Sequence, residues 1–214
     1  MVLIRWLALA LVLTSCREGP KVVEYGPTIE EQAQAERAQV VEIVANLIDF
    51  DKLDTLRGDR AANDRVRKLG YWLEIARRNG HAPEDILKDA YQSNGDHGTA
   101  RAQEATRTTL ANLADLEAWG CFDAEGMAKL RRGNAPTIRK GLHAGQIVSV
   151  DHTLPRSIVD EVDEALYNLR LMPDRVNNLK GNTITLEEIQ TARRWHREGL
   201  LSSAGLEAVE RAAR

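Results

Sequence analysis

Apolar positions recur at helical spacing through the first two-thirds of the chain and turn strand-like only near Gln146. From Thr28, TIEEQAQAERAQVVEIVANLIDF opens with a capping box, Thr28 with Glu31 three residues on. Apart from Ile29, its apolar positions (Val40, Ile43, Val44, Leu47, Ile48) fall in the second half, so the first half is expected to be a polar, exposed helix. NDRVRKLGYWLEIARRNG places Val66, Leu69, Trp72, Leu73, Ile75 and Ala76 on one side and stops at Gly80. Pro83 starts a further helix with acidic residues in its first turn, as the dipole prefers. A longer helix is expected from about Thr99 to Trp119 with Leu110, Leu113 and Leu116 as its stripe, and Asp123 caps a short one, AEGMAKLRRG. This pattern predicts a helical domain over 28–135.

Beyond Gln146 the period changes. Ile147 opens an apolar run ending in Asp151-His152, just ahead of Pro155. A second strand-like run, LYNLRLM, carries Asn168. After Pro173 a short helical segment holds Asn177 and Lys180. Thr185 and Glu188 form another capping box for a helix that would bury Ile189, Ala192, Trp195 and Leu200 and end at Gly199. The remaining SSAGLEAVERAAR is expected to form a last helical turn or two.

The ordered set V-D-H-x-x-P, then N-L, then N-x-x-K-G resembles the HNH endonucleases, whose hairpin-plus-helix core is the ββα-metal fold. The resemblance covers roughly 136–201. It implies an α+β, mostly α chain: a helical bundle followed by a C-terminal ββα-metal (HNH) hairpin-helix core. By resemblance, His152 is the general base and Asn168 the residue that holds the loop between the strands and keeps His152 aimed. Asp151 and Asn177 are the metal ligands, and Lys180 is a phosphate contact. Family members often carry His where this chain has Asn177. The register between Asn177 and Asn178 is open, and Asn177 gives Lys180 the N-x-x-K spacing.

The residue types suit phosphodiester hydrolysis. An imidazole can take a proton from an attacking water at neutral pH. A divalent cation stabilises charge on the leaving oxygen, and hard ions such as Mg²⁺, with Mn²⁺ the second choice, prefer carboxylate and amide oxygens. Taken singly, each residue also has an ordinary reading: Asp151-His152 as a turn, Asn168 as a polar strand position, Asn177 as a helix breaker, Lys180 as a solvated lysine. Asp96-His97, set among glycines, reads as a capping turn.

A formal net charge of −3 gives no global basic field, so nucleic-acid binding would need local patches. Arg156, Arg139 and Lys140 are the candidates nearest the hairpin, with Lys129, Arg131 and Arg132 before it and Arg193, Arg194 and Arg197 on the last long helix. Arg-rich helix faces are also commonly just solvated. Asp160, Glu161, Asp163 and Glu164 form an acidic loop that would repel DNA unless it points away or helps attract metal.

Residues 1–16, MVLIRWLALALVLTSC, read as a lipoprotein signal peptide too short to span a bilayer. Leu13-Thr14-Ser15-Cys16 resembles a lipobox, which implies lipidation of Cys16 and, with Arg17 following, an outer-membrane anchor facing the periplasm. A plain signal peptide with a chance Cys is the other reading. Residues 17–27, rich in Gly and Pro, are a tether. Only Cys121 then remains, beside Trp119 and Phe122, as an expected buried thiol with no disulfide or zinc partner.

The domain expectation is therefore signal peptide 1–16, tether 17–27, helical domain 28–135, nuclease-like domain 136–201 and tail helix 202–214. The functional expectation is a metal-dependent endonuclease outside the cytoplasm, acting on nucleic acid, DNA ahead of RNA, and held to a membrane by lipid. No nucleotide-binding fingerprint is present, so no nucleotide cofactor is expected. The competing expectation is a non-catalytic envelope lipoprotein that keeps the ββα core as a binding or scaffold module. An antibacterial or phage-related toxin reads the same way.

Overall fold

The computed structural model describes residues 29–56 and 62–214. Cys16, the signal segment, the tether and the Thr28 cap lie outside the described residues. Helix α1 (Ile29–Ile48) is exposed through most of its first half, and Val40, Val44, Ala45 and Ile48 turn inward in its second. A five-residue helix, α2 (Phe50–Asp54), was not foreseen, because five residues leave no periodic signature. It forms because Asp49 caps it through Lys52 N–H and Phe50 and Leu53 are buried.

Helices α3 (Asn63–Arg78), α4 (Pro83–Asn94), α5 (Ala100–Ala118) and α6 (Ala124–Arg131) follow the apolar periodicity. Gly95, at φ 79°, ends α4 in the left-handed region, and the Thr99 hydroxyl then caps α5 at Ala102 N–H. Asp96-His97 is thus the turn between two helices. The core they enclose includes Ile48, Leu69, Leu73, Ile86, Leu87 and Leu116. Cys121 is fully buried, and that burial pushes its thiol up to about 11, so it is an unreactive packing residue.

Strands β1 (Val148–His152) and β2 (Leu169–Pro173) form a two-stranded antiparallel sheet, with Asp151 opposite Arg170 and His152 opposite Leu169. The second strand is shorter than expected at its start: Leu166–Asn168 is a 3₁₀ turn, and Asn168 directly precedes β2. Helix α7 (Asp174–Lys180) follows at once, with Pro173 supplying its N-cap residue. Helix α8 (Leu186–Arg197) begins with the Thr185/Glu188 capping box. The tail is a full ten-residue helix, α9 (Ser203–Ala212), longer than a turn or two because Gly205 and Val209 are buried. The chain is α+β and mostly α, with this one small sheet among the described residues.

One polar face of α5 carries the hairpin. Asn112 lies along β2, donating from Nδ2 to Leu169 O at 3.0 Å and accepting Leu171 N–H at 2.7 Å. One turn back, the Thr108 hydroxyl donates to Tyr167 O at 3.2 Å. A further turn back, buried Glu104 accepts from Trp195 Nε1 at 2.9 Å and from Arg194 at 2.7 Å, and also pairs with Arg107. Tyr167 and Trp195 meet edge to face at 4.9 Å above this stripe.

Candidate functional site

The site is assembled at the end of β1, between the returning loop 153–168 and the last turn of α7. Asn168 is completely buried and works on the loop. Its Oδ1 accepts Leu154 N–H at 2.7 Å, and its Nδ2 donates to Leu154 O at 3.1 Å and Val162 O at 3.0 Å. Its own carbonyl accepts Thr153 N–H at 2.8 Å. One amide therefore fixes the residues just after His152 and the far side of the loop together. Without it the N–H and the carbonyl of Leu154 would be unpaired buried polar groups, while Val162 O would keep only Ala165 N–H.

That folding brings Asp163 to His152. His152 Nε2 lies 2.7 Å from Asp163 Oδ1, with side chains 24% and 22% exposed. An ionised carboxylate only accepts, so the neutral imidazole carries its proton on Nε2 and leaves Nδ1 as the basic nitrogen. Arg156 NH1 stands 3.8 Å from the other Asp163 oxygen.

Asp151 is 7% exposed and heavily engaged. Its Oδ2 accepts from Lys180 Nζ at 2.8 Å and from Arg170 Nε at 3.2 Å. Lys180 Nζ also donates to His152 O at 2.6 Å and lies 3.8 Å from Glu188 Oε1. Arg170 NH2 reaches the same Glu188 oxygen at 3.3 Å. Helix α7 is aligned for this by its start: Asp174 N–H bonds Ile147 O, and Asp174 Oδ1 accepts from Ser149 Oγ. The helix runs beside β1 in the same direction, which puts its last turn at Asp151-His152. Asn177, three residues before Lys180, shares that helix face by spacing, is half-buried, and has a side chain free of hydrogen bonds among the described residues.

The structure thus brings together His152, Asp151, Asn168 and Lys180, with Asn177 on the adjoining helix face. The other phosphate candidates are dispersed. Arg139 pairs with Asp123 at 2.9 Å and also with Glu125, at the start of α6. Lys140 is exposed, its stem lying over Gly120. Arg156 alone of these stands beside the histidine's partner. Three residues of the site were missed in the sequence: Asp163, Arg170 and Glu188. Arg170 was within reach of the strand pattern, since antiparallel register sets it across from Asp151.

The acidic loop also faces a cleft of about 690 Å³ that meets the site at Asp163. Asp54, Asp160, Glu161, Asp163 and Glu164 line it, with Arg101 as the cation among the lining residues, so a polyanion is repelled on that side.

The donor chemistry at Asp151 suits a hard divalent cation. Asp151 Oδ1 has no partner among the described residues, and Asn177 offers an uncommitted amide oxygen. No cluster of three or more His, Cys, Asp and Glu side chains with metal-holding geometry occurs among the described residues, so an ion here would keep much of its water, as Mg²⁺ commonly does. No family model matches the chain, and comparison with curated proteins and with solved structures returns no match.

Proposed function

We propose that the chain is an HNH-type, metal-dependent endonuclease that hydrolyses phosphodiester bonds of nucleic acid, DNA ahead of RNA, outside the cytoplasm. The observation that carries this reading is the Asp163–His152 pair set by Asn168 at the end of β1, beside a helix that presents Asn177 and Lys180. In this reading His152 Nδ1 takes the proton of the attacking water, while Asp163 holds the ring and stabilises the imidazolium that results. Asp163 is thus a positioning residue, and Asn168 positions the loop that leaves His152 and carries Asp163. Asp151 and Asn177 would hold Mg²⁺, or Mn²⁺ in its place, which when bound supplies Lewis-acid stabilisation of the leaving oxygen. The substrate approaches from the α7 side, away from the acidic cleft. Lipid on Cys16 would keep the activity at the envelope membrane, on its periplasmic face, and away from chromosomal DNA.

A second reading, a non-catalytic envelope lipoprotein that keeps the core as a scaffold, draws on one observation: Asp151 is already neutralised by Lys180 and Arg170. Incubation of the purified protein with plasmid DNA in Mg²⁺, Mn²⁺ or EDTA separates the two. The nuclease reading expects nicking or linearisation in either metal and none in EDTA. Intact plasmid in all three, with RNA also untouched, would leave the scaffold reading.

A further inference from the structure

Lys180 is badly placed for a simple phosphate contact. Its side chain is only 10% exposed, and its ammonium is bonded to Asp151 Oδ2 at 2.8 Å and His152 O at 2.6 Å. Both acceptors belong to the pair of residues that define the site. Arg170 holds the same Asp151 oxygen from the neighbouring strand, and both cations lie near Glu188. Two carboxylates therefore face two cations, and the cluster is neutral without any added ion.

A divalent ion on Asp151 would bring two more positive charges within a few ångströms of an ammonium largely shielded from water. Like charges that close, in a poorly solvated site, repel strongly. One free carboxylate oxygen and one neutral amide do not offset that repulsion while the ammonium stays. Lys180 can leave without moving the backbone, since four methylenes carry its charge and Gly181 ends the helix just beyond it. Arg170 is tied to both carboxylates and has less freedom to go.

We propose that Lys180 is a resident counter-cation of this site, competing with divalent metal for Asp151, so that metal loading and release of the Lys180 ammonium are one exchange. The exchange converts a neutral cluster into one with a single net positive charge: Arg170 and the dication against Asp151 and Glu188. That charge complements a phosphodiester's single negative charge, and the displaced ammonium becomes free to meet a phosphate as well. The role of the loaded site in hydrolysis rests on the nuclease reading; the exchange itself does not.

The test is Mn²⁺ titration of the full chain, with free Mn²⁺ read by electron paramagnetic resonance. Lys180→Met keeps the stem and removes the charge, and should bind Mn²⁺ at least about tenfold more tightly than the wild type. Asp151→Asn should bind it more weakly. In the wild type, labelling of Lys180 by an amine-reactive ester, read by mass spectrometry, should rise on saturation with Mn²⁺, a readout that stands even if the Lys180→Met variant fails to fold. Equal or weaker binding by a folded Lys180→Met variant overturns the exchange, as do Lys180 labelling unchanged by Mn²⁺ and an absence of Mn²⁺ binding in both proteins. Cleavage that persists in EDTA and vanishes in Lys180→Met also overturns it, making Lys180 the permanent cation. Tighter binding by the variant together with no cleavage of any nucleic acid leaves the exchange standing and removes the nuclease reading.

Discussion

His152 and Asn168 sit sixteen residues apart in the sequence and place opposite demands on their surroundings. His152 is about a quarter exposed and held by one carboxylate, so His152→Ala buries nothing unpaired. On the nuclease reading it should lower cleavage by roughly 10²- to 10⁴-fold with the melting temperature nearly unchanged. Asn168→Ala strands Leu154 N–H and Leu154 O inside the protein, at roughly 1–3 kcal/mol for each unsatisfied group, and takes from Val162 O one of its two donors, leaving it Ala165 N–H. Its melting temperature should fall clearly, and any loss of cleavage should follow the loss of fold. Thermal melts beside plasmid nicking distinguish the two, and the reverse pattern would mean the roles are exchanged. At this scale the motif residues were legible because short spacings between chemically specific side chains survive in the linear sequence. Asp163 was not. The loop offers four carboxylates, and only the way Asn168 folds it back selects the one that reaches the imidazole.

Among the elements, α5 is the axis, and it is two-faced. Its leucines follow from the helical period: Leu113 and Leu116 are buried in the bundle, and Leu110 packs half-buried against it. The polar row Glu104, Thr108, Asn112 has the same spacing and looks, in sequence, like a solvated face. Its role as the seat of the hairpin depends on partners more than fifty residues away, which no local window contains. Glu104 gives this docking a pH dependence. Burial alone would raise its carboxyl, but Arg194, Trp195 and Arg107 outweigh that and hold it below its ordinary value of 4.5. A depressed carboxylate stabilises the fold fully above the unfolded value and loses that contribution as pH falls through the folded one. The urea midpoint should therefore be level down to about pH 5 and drop below 4.5. Glu104→Gln should lower the midpoint at neutral pH and make the acid drop shallower; an equally steep drop would assign it to other carboxylates.

For the whole molecule, the class and the order of the helices, apart from the short α2, followed from periodicity and caps, while the way the two halves share one core did not. The split expected near residue 135 marks a change of pattern, yet buried residues from both sides of it form a continuous cluster. A sheet of only two strands has an outer edge on each side, and such edges invite another extended chain to add itself. Asn112 presents to β2 the donor and acceptor of one peptide unit, closing the stretch from Leu169 to Leu171. Asn112→Ala would reopen those groups, and the variant should self-associate on mild warming, seen as rising light scattering at temperatures where the wild type stays monodisperse. A side chain that joins a helix to a hairpin would thus also be a guard against fibrous polymerisation.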